Sequence, residues 1–318
     1  MGRVLFLLLG PAALVGGLYE LTLNEGDSLR ALPEVRKQWQ RVADRWDESQ
    51  PVSLHEDGQR LLIEKCEWTA AELRTRLGDG VTVIQRAPYV LAGDLAEDDL
   101  ERCYQNVIRP VERALSTCYF DARPDQPIVL VLMSNEQSYH AAAQALDGRL
   151  PRHYSGYYLR GERRIVANVA TGTGTLAHEL THALAHFDFP AMPEWFDEGL
   201  ASLHEQSEFS DDGLRIGGTS NWRLNHLREA LHRDTLAPLD ALLTADGIRP
   251  GHEAVDYAHA RYFCLWLQQR QLLEAYYRKF RLRADDDPTG RLTLCDLLGV
   301  EDLEPVDRAF RAWVAAMR

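Results

Sequence analysis

The segment HELTH at residues 178–182 places two histidines four positions apart with a glutamate beside the first. On a helix, residues i and i+4 lie on one face about 6 Å apart, so His178 and His182 can direct both imidazoles at one metal ion. Glu179 would flank that ion without binding it. The spacing predicts a zinc-binding catalytic helix, and the other interpretation is an ordinary polar helix that carries two histidines.

A catalytic zinc site uses three protein ligands and keeps one position open, so a third donor is expected further along the chain. Glu198 is favoured, since it lies 16 residues after His182 in PEWFDEGLASL, a second predicted helix that starts at Pro193. Asp188, six residues after His182, is the alternative. It would require a sharp turn under the metal, and alanine at position 185 resists the left-handed backbone that such a turn needs.

His186 continues the same helical face but is about 12 Å along the helix axis from His178. Two side chains that far apart cannot share one ion. We therefore expect His186 to be a histidine at the helix end or on the surface.

The elements that must position these residues follow from the hydrophobic pattern. The pattern predicts an α+β fold in which a small mixed sheet is followed by the active-site helix and a mostly helical C-terminal part. We expect the strand at 165–169 to form a sheet edge on which an extended peptide can lie. The predicted elements, in order, are a hairpin at 80–93, a helix at 94–117, a strand at 127–133, a helix at 135–146, strands around 157–158 and 163–170, and a helix at 171–185.

The first residues have the layout of an export signal. Arg3 precedes an uncharged run from Val4 to Tyr19, and Glu20 is the first carboxylate. We predict a signal peptide or N-terminal membrane anchor at 1–20, a segment of unknown role at 21–80 and the catalytic domain at 81–318. The protein is then expected to be exported, with a periplasmic or cell-envelope location and possible membrane association through the N-terminus.

Bulk composition excludes one class of partner. The 318 residues carry a net charge of −13, and a nucleic-acid binder needs a basic face, so we expect no nucleic acid. The five cysteines form no C-x-x-C pair that would suggest a zinc knuckle. Cys103 and Cys118 would lie about 22 Å apart on the predicted helix, too far for a disulfide, and Cys264 is expected to be a core residue.

The order of a strand, an H-E-x-x-H helix and a W-x-x-E-G helix resembles the gluzincin metallopeptidases. The resemblance is to the peptidase MA-like group, related to M1-type zinc aminopeptidases, and it covers about residues 85–280. It implies a zincin-like fold in which His178, His182 and Glu198 bind Zn²⁺ and Glu179 is the general base.

The same family uses a tyrosine at the head of a later helix to stabilise the oxyanion. The segment DYAHARYFCLWL at 256–267 is similar, which assigns that role to Tyr257, with Tyr262 as the alternative. The chain lacks the glycine-x-methionine-glutamate-asparagine strand of the aminopeptidases, so aminopeptidase specificity is not expected. Ser202 stands where thermolysin-like enzymes carry an aspartate that orients a zinc ligand, and Asp197 is the candidate to replace it.

These residues predict a zinc-dependent peptidase that hydrolyses a peptide or protein substrate through a metal-activated water. The alternative is a non-catalytic zincin-fold binding or scaffold protein of the cell envelope. Glu179 favours the enzyme, because a purely structural metal site needs no base beside its ligands.

Overall fold

The computed structural model describes residues 56–151, 155–245 and 247–317. The predicted export segment at 1–20 and residues 21–55 lie outside the described residues. The first part of the chain alternates helices and strands: α1 (Glu56–Leu77), β1 (Thr82–Arg86), β2 (Tyr89–Gly93), α2 (Glu97–Cys103), α3 (Arg109–Cys118), β3 (Ile128–Met133), α4 (Glu136–Asp147), β4 (Gly156–Leu159) and β5 (Arg164–Asn168).

The second part is mostly helical, as the sequence predicts, with one short hairpin. Its elements are α5 (Gly174–Asp188), α6 (Glu194–His204), β6 (Ser207–Phe209), β7 (Ile216–Gly218), α7 (Leu224–His232), α8 (Leu239–Thr244), α9 (Glu253–Gln269), α10 (Leu273–Arg283), α11 (Arg291–Leu298) and α12 (Glu304–Ala316). The mixed α+β class is therefore confirmed.

Five strands form one mixed sheet in the order β1-β2-β3-β5-β4. The β2, β3 and β5 strands are parallel, and β1 and β4 pair antiparallel at the two edges. The prediction that residues 165–169 form an edge is wrong, because β5 lies between β3 and β4. All five residues of β5 are buried, as expected for an interior strand, and the exposed edge next to α5 belongs to β4.

The sheet is covered on both faces, so alternate residues of one strand enter different cores. Leu91, Leu130 and Ile165 face the side that contains α5, whereas Val90 and Val131 face α1 and α4. Burial on both faces explains why β3 is a continuous apolar run in the sequence. Helix α1, from the segment of unknown role, thus packs directly on the sheet.

The helix predicted at 94–117 is present but not uniform. It begins at Glu97, and residues Tyr104–Ile108 form a π-helical turn between α2 and α3. Pro110 follows this turn, and its ring would collide with the carbonyl of residue 106 in a regular α-helix. The wider turn avoids that clash and lets the helical segment continue to Cys118.

Helices α5 and α6 run antiparallel and hold the candidate site between them. A Cβ added to Gly174, at the start of α5, would lie 2.5 Å from the carbonyl oxygen of Glu205, just beyond the end of α6. A Cβ added to Gly199 would lie 3.0 Å from the carbonyl oxygen of Ala260 on α9. The two glycines therefore permit close backbone contacts on both sides of α6.

The structure also bears on the cysteines and on membrane-spanning helices. All five cysteines are free, which confirms that Cys103 and Cys118 are not paired, and Cys264 is fully buried as expected of a core residue. Within the part of the chain that the structure describes, no helix has the length and apolar character needed to cross a bilayer.

Candidate metal centre

Three donor atoms from α5 and α6 converge on one point. The Nε2 atoms of His178 and His182 are 3.2 Å apart, and each lies 3.5 Å from Glu198 Oε2. For zinc with bonds of 2.0 to 2.2 Å, two ligand atoms of a tetrahedron are separated by about 3.3 Å. The three atoms therefore have the spacing of one face of a zinc tetrahedron.

The local environment of the three atoms also fits a bound cation. Among the described residues, Glu198 Oε2 is buried and has no hydrogen-bond partner, an arrangement that is costly for a carboxylate oxygen unless a positive charge lies nearby. Two imidazoles and one carboxylate are also the ligand set that zinc uses in catalytic sites. The residues present fit a zinc ion.

Asp197, next to Glu198, contacts the other ring nitrogen of His182. Its Oδ1 is 2.8 Å from His182 Nδ1, and its Oδ2 is 3.0 Å from His186 Nε2. A proton on His182 Nδ1 leaves the Nε2 lone pair directed toward the metal position. Ser202 does not have this role, because its hydroxyl donates to the backbone oxygen of Glu198 one helical turn earlier.

His186 is one turn too far along α5 to join the three donors, as the helix geometry predicts. It is not a surface residue, however, since its side chain is only 11% exposed and its ring lies 5.4 Å from that of Tyr158 on β4. His182, His186 and Asp197 form a second compact group. The distances from the Asp197 oxygens to His182 Nδ1 and His186 Nε2, 2.8 and 3.0 Å, are those of hydrogen bonds, so a proton lies between each nitrogen–oxygen pair.

The carboxylates and histidines of the site shift one another's pKa values. Burial alone lowers the pKa of His182, but the carboxylates of Asp197 and Glu198 outweigh burial and raise that pKa well above its usual value. Burial raises the pKa of Asp197 and Glu198, and the neighbouring histidines outweigh this effect and lower both pKa values. Two ionised carboxylates at this position favour a bound cation.

Asp188, the alternative third ligand, has a structural role instead. Its Oδ1 accepts from the backbone N–H groups of Asp121 and Ala122 at 2.8 and 2.7 Å. Its Oδ2 accepts from the Tyr277 hydroxyl at 2.8 Å, and Arg281 forms a salt bridge with Oδ1. These contacts leave the carboxylate tied to α10 and the loop after α3, and it is not part of the donor group at His178 and His182.

The two candidate tyrosines on α9 lie in different environments. Tyr257 interacts with one of the three donors: burial first, and then the charge of Glu198 and a hydrogen bond with its carboxylate, raise the pKa of Tyr257. Tyr262 is fully buried, and its hydroxyl bonds with the backbone N–H and carbonyl of Asn221 at 2.9 Å each. Tyr257 therefore faces the site, and Tyr262 secures the loop before α7.

Glu179 lies on α5 beside His178 and is almost completely buried. Its carboxylate is not one of the three converging donors. Its charge contributes, after burial, to the raised pKa of Tyr139 on α4. The role of Glu179 as general base therefore stays a prediction.

The sequence did not indicate the pair Arg223 and Glu205, which borders the site at the start of α5. The Arg223 guanidinium carbon is 5.3 Å from the centre of the Tyr257 ring, and Nη2 is 3.1 Å from Glu205 Oε2. No motif marks these residues, because loop and helix-end positions are brought together only by the tertiary fold.

Comparison with known proteins adds no relative. No protein-family model matches this chain, and no curated protein matches it.

Proposed function

We propose that this protein is a zinc-dependent peptidase with a zincin-like fold of the gluzincin type. The observation that carries the proposal is the donor triangle of His178, His182 and Glu198, with sides of 3.2, 3.5 and 3.5 Å, together with an adjacent carboxylate, Glu179, that is not part of it. A metal that only stabilised the fold would need no such carboxylate, which favours the enzyme over a scaffold protein.

A zinc ion in this site supplies Lewis acidity, which makes water acidic enough to lose a proton near neutral pH and polarises a carbonyl group. Glu179 accepts the proton of the attacking water and passes it to the leaving amine. Asp197 keeps His182 in the tautomer whose Nε2 is free to bind. The Tyr257 hydroxyl donates a hydrogen bond to the carbonyl oxygen as negative charge develops there.

Substrate binding is proposed at the edge of the sheet formed by β4. This strand pairs only with β5 among the described residues, and Tyr158 on β4 contacts His186 of the active-site helix. An edge strand offers unpaired backbone groups, so a peptide can add to it in an extended conformation. This places the peptide beside α5 and its zinc ligands.

The test compares wild type with Glu179→Gln for zinc content and for hydrolysis of a mixed peptide library. We expect about one zinc per chain in both proteins and loss of nearly all hydrolysis in the variant. Glu208→Gln, which removes an exposed carboxylate on β6, is the matched control and should retain activity. Zinc-loaded wild type that cleaves no peptide, or Glu179→Gln with wild-type turnover, would refute the proposal.

A further inference from the structure

A cation lies directly beside the proposed catalytic tyrosine. Arg223 ends the loop that leads into α7, and its guanidinium carbon is 5.3 Å from the centre of the Tyr257 ring and 4.5 Å from that of Trp222. The same tyrosine interacts with Glu198, a proposed zinc ligand: burial first, and then the charge and hydrogen bond of Glu198, raise the pKa of Tyr257. The 5.3 Å from the guanidinium to the ring is the length of one or two residues of an extended peptide.

The guanidinium is held in place on one side. Nε and Nη2 of Arg223 both donate to the same oxygen, Glu205 Oε2, at 3.2 and 3.1 Å. The side chain is 14% exposed, so it is packed but still reaches the surface. Within residues 56–151, 155–245 and 247–317, Nη1 makes no hydrogen bond with the protein, which leaves one N–H edge of a fixed cation for a ligand.

A second arginine interacts with the same glutamate. Arg261 is fully buried on α9, and burial first, and then Tyr262, Glu205 and Arg223, bring its pKa to about 10. Among the described residues, Nε and Nη1 of Arg261 have no hydrogen-bond partner. Glu205 is therefore shared by two arginines, whereas Glu198 and Glu194 act on Tyr257.

The surface next to Arg223 has the character of a recognition site. Trp222 is 56% exposed although it is large and apolar, and its ring stacks on the Arg223 guanidinium. Aromatic residues beside arginine are enriched where proteins contact ligands, because they combine apolar area with directed donors. An arginine present only to pair with Glu205 would not require an exposed tryptophan beside it.

We propose that Arg223 anchors a substrate carboxylate, so that the enzyme prefers peptides carrying a carboxylate one or two residues from the cleaved bond. This inference rests on the proposed function. The carboxylate can be the C-terminus of a short peptide or the side chain of an aspartate or glutamate. In either case it receives a charge-assisted hydrogen bond from Nη1.

The test measures binding of matched zinc-directed probes by calorimetry to the zinc-loaded protein. Mercaptoacetyl-Leu-Phe with a free C-terminal carboxylate is compared with its C-terminal amide. A second pair, the amides of mercaptoacetyl-Asp-Phe and mercaptoacetyl-Asn-Phe, tests a side-chain carboxylate. We expect at least one acidic probe to bind wild type about tenfold more tightly than its neutral partner. The pair that discriminates identifies the source of the carboxylate.

In Arg223→Gln the two members of each pair should bind equally. Arg233→Gln, which removes an exposed arginine next to the end of α7, is the matched control and should discriminate as wild type does. If Arg223→Gln is poorly folded because Glu205 loses its partner, the double variant Arg223→Gln/Glu205→Gln replaces it. Equal binding of all probes to wild type, or unchanged discrimination without Arg223, would overturn the Arg223 proposal alone. Failure of every probe to bind would instead contradict the zinc site itself.

Discussion

The two candidate third ligands, Glu198 and Asp188, should respond in opposite ways to alanine substitution. Glu198→Ala removes one of three zinc donors and, in the metal-free protein, the contacts of its carboxylate with Tyr257 and with the imidazoles of His178 and His182. Asp188→Ala removes the shared partner of two backbone N–H groups, Tyr277 and Arg281, and leaves the three donors in place.

The expected magnitudes follow from these contacts. Removing the Asp188 carboxylate leaves Arg281, which is 15% exposed, with Asp121 as its remaining ion-pair partner. Breaking a buried ion pair costs about 3–5 kcal/mol when the other charge is left unpaired, so we expect a loss of about 3 kcal/mol. For a domain of this size, that loss lowers the thermal unfolding midpoint by roughly 6 to 12 °C. Loss of an outer hydrogen-bond partner weakens zinc binding about 10- to 100-fold, so loss of the ligand Glu198 should exceed about 100-fold.

Two assays on each variant separate the effects. Zinc affinity is measured by competition with a fluorescent chelator, and the stability of the metal-free protein is measured by thermal unfolding followed through tryptophan fluorescence. We expect Glu198→Ala to lose zinc with the smaller change in unfolding midpoint, and Asp188→Ala to lose more stability while its folded fraction binds zinc normally. A folded Asp188→Ala that has lost zinc, alongside Glu198→Ala that retains it, would refute the assignment of ligands.

Three further predictions concern the residues around the site. Asp197→Asn should weaken zinc binding about 10- to 100-fold, measured by the same chelator competition, because His182 loses its anionic acceptor; unchanged affinity would exclude this role. Tyr257→Phe should lower kcat about 10² to 10³-fold with little change in KM. Tyr262→Phe should leave kcat unchanged and lower the free energy of unfolding in urea by about 1–3 kcal/mol, because the Asn221 backbone loses its partner. The reverse pattern would contradict the assignment. Burial, and then Arg311, lower the pKa of His259 to about 3. Below about pH 6.5 this histidine therefore takes up a proton on unfolding. The free energy of unfolding should fall as the pH decreases from 6.5 toward 3, and His259 contributes up to about 1.4 kcal/mol per pH unit. His259→Phe should flatten that dependence in urea unfolding, and an equal slope in both proteins would show that His259 is not the group responsible.

Local patterns in the sequence were sufficient for most of the elements and for the convergence of the donors. The helix repeat puts His178 and His182 on one face, and the second helix returns Glu198 to them because the chain between the helices is short. Continuous apolar runs likewise marked the buried strand β3. In each case the deciding interactions lie within one element or between neighbouring elements.

The sequence was less informative where distant segments meet. The order of strands in the sheet depends on pairing between distant segments, which the sequence pattern does not show. The prediction of an edge at 165–169 is therefore wrong, and the five buried residues of β5 are typical of an interior strand. The role of Asp188 depends on Tyr277 and Arg281, about 90 positions further along the chain. Similarly, nothing local to residue 223 reveals that its guanidinium meets Glu205 and Tyr257.

The most direct test of the zinc site is the zinc K-edge X-ray absorption spectrum of the purified protein. A site built from His178, His182 and Glu198 should show only nitrogen and oxygen neighbours at about 2.0–2.2 Å, with the outer-shell features of two imidazoles. Bound zinc with sulfur neighbours at about 2.3 Å would mean that the metal is held by cysteines elsewhere. Either that result or a protein that takes up no zinc would contradict the proposed metal centre.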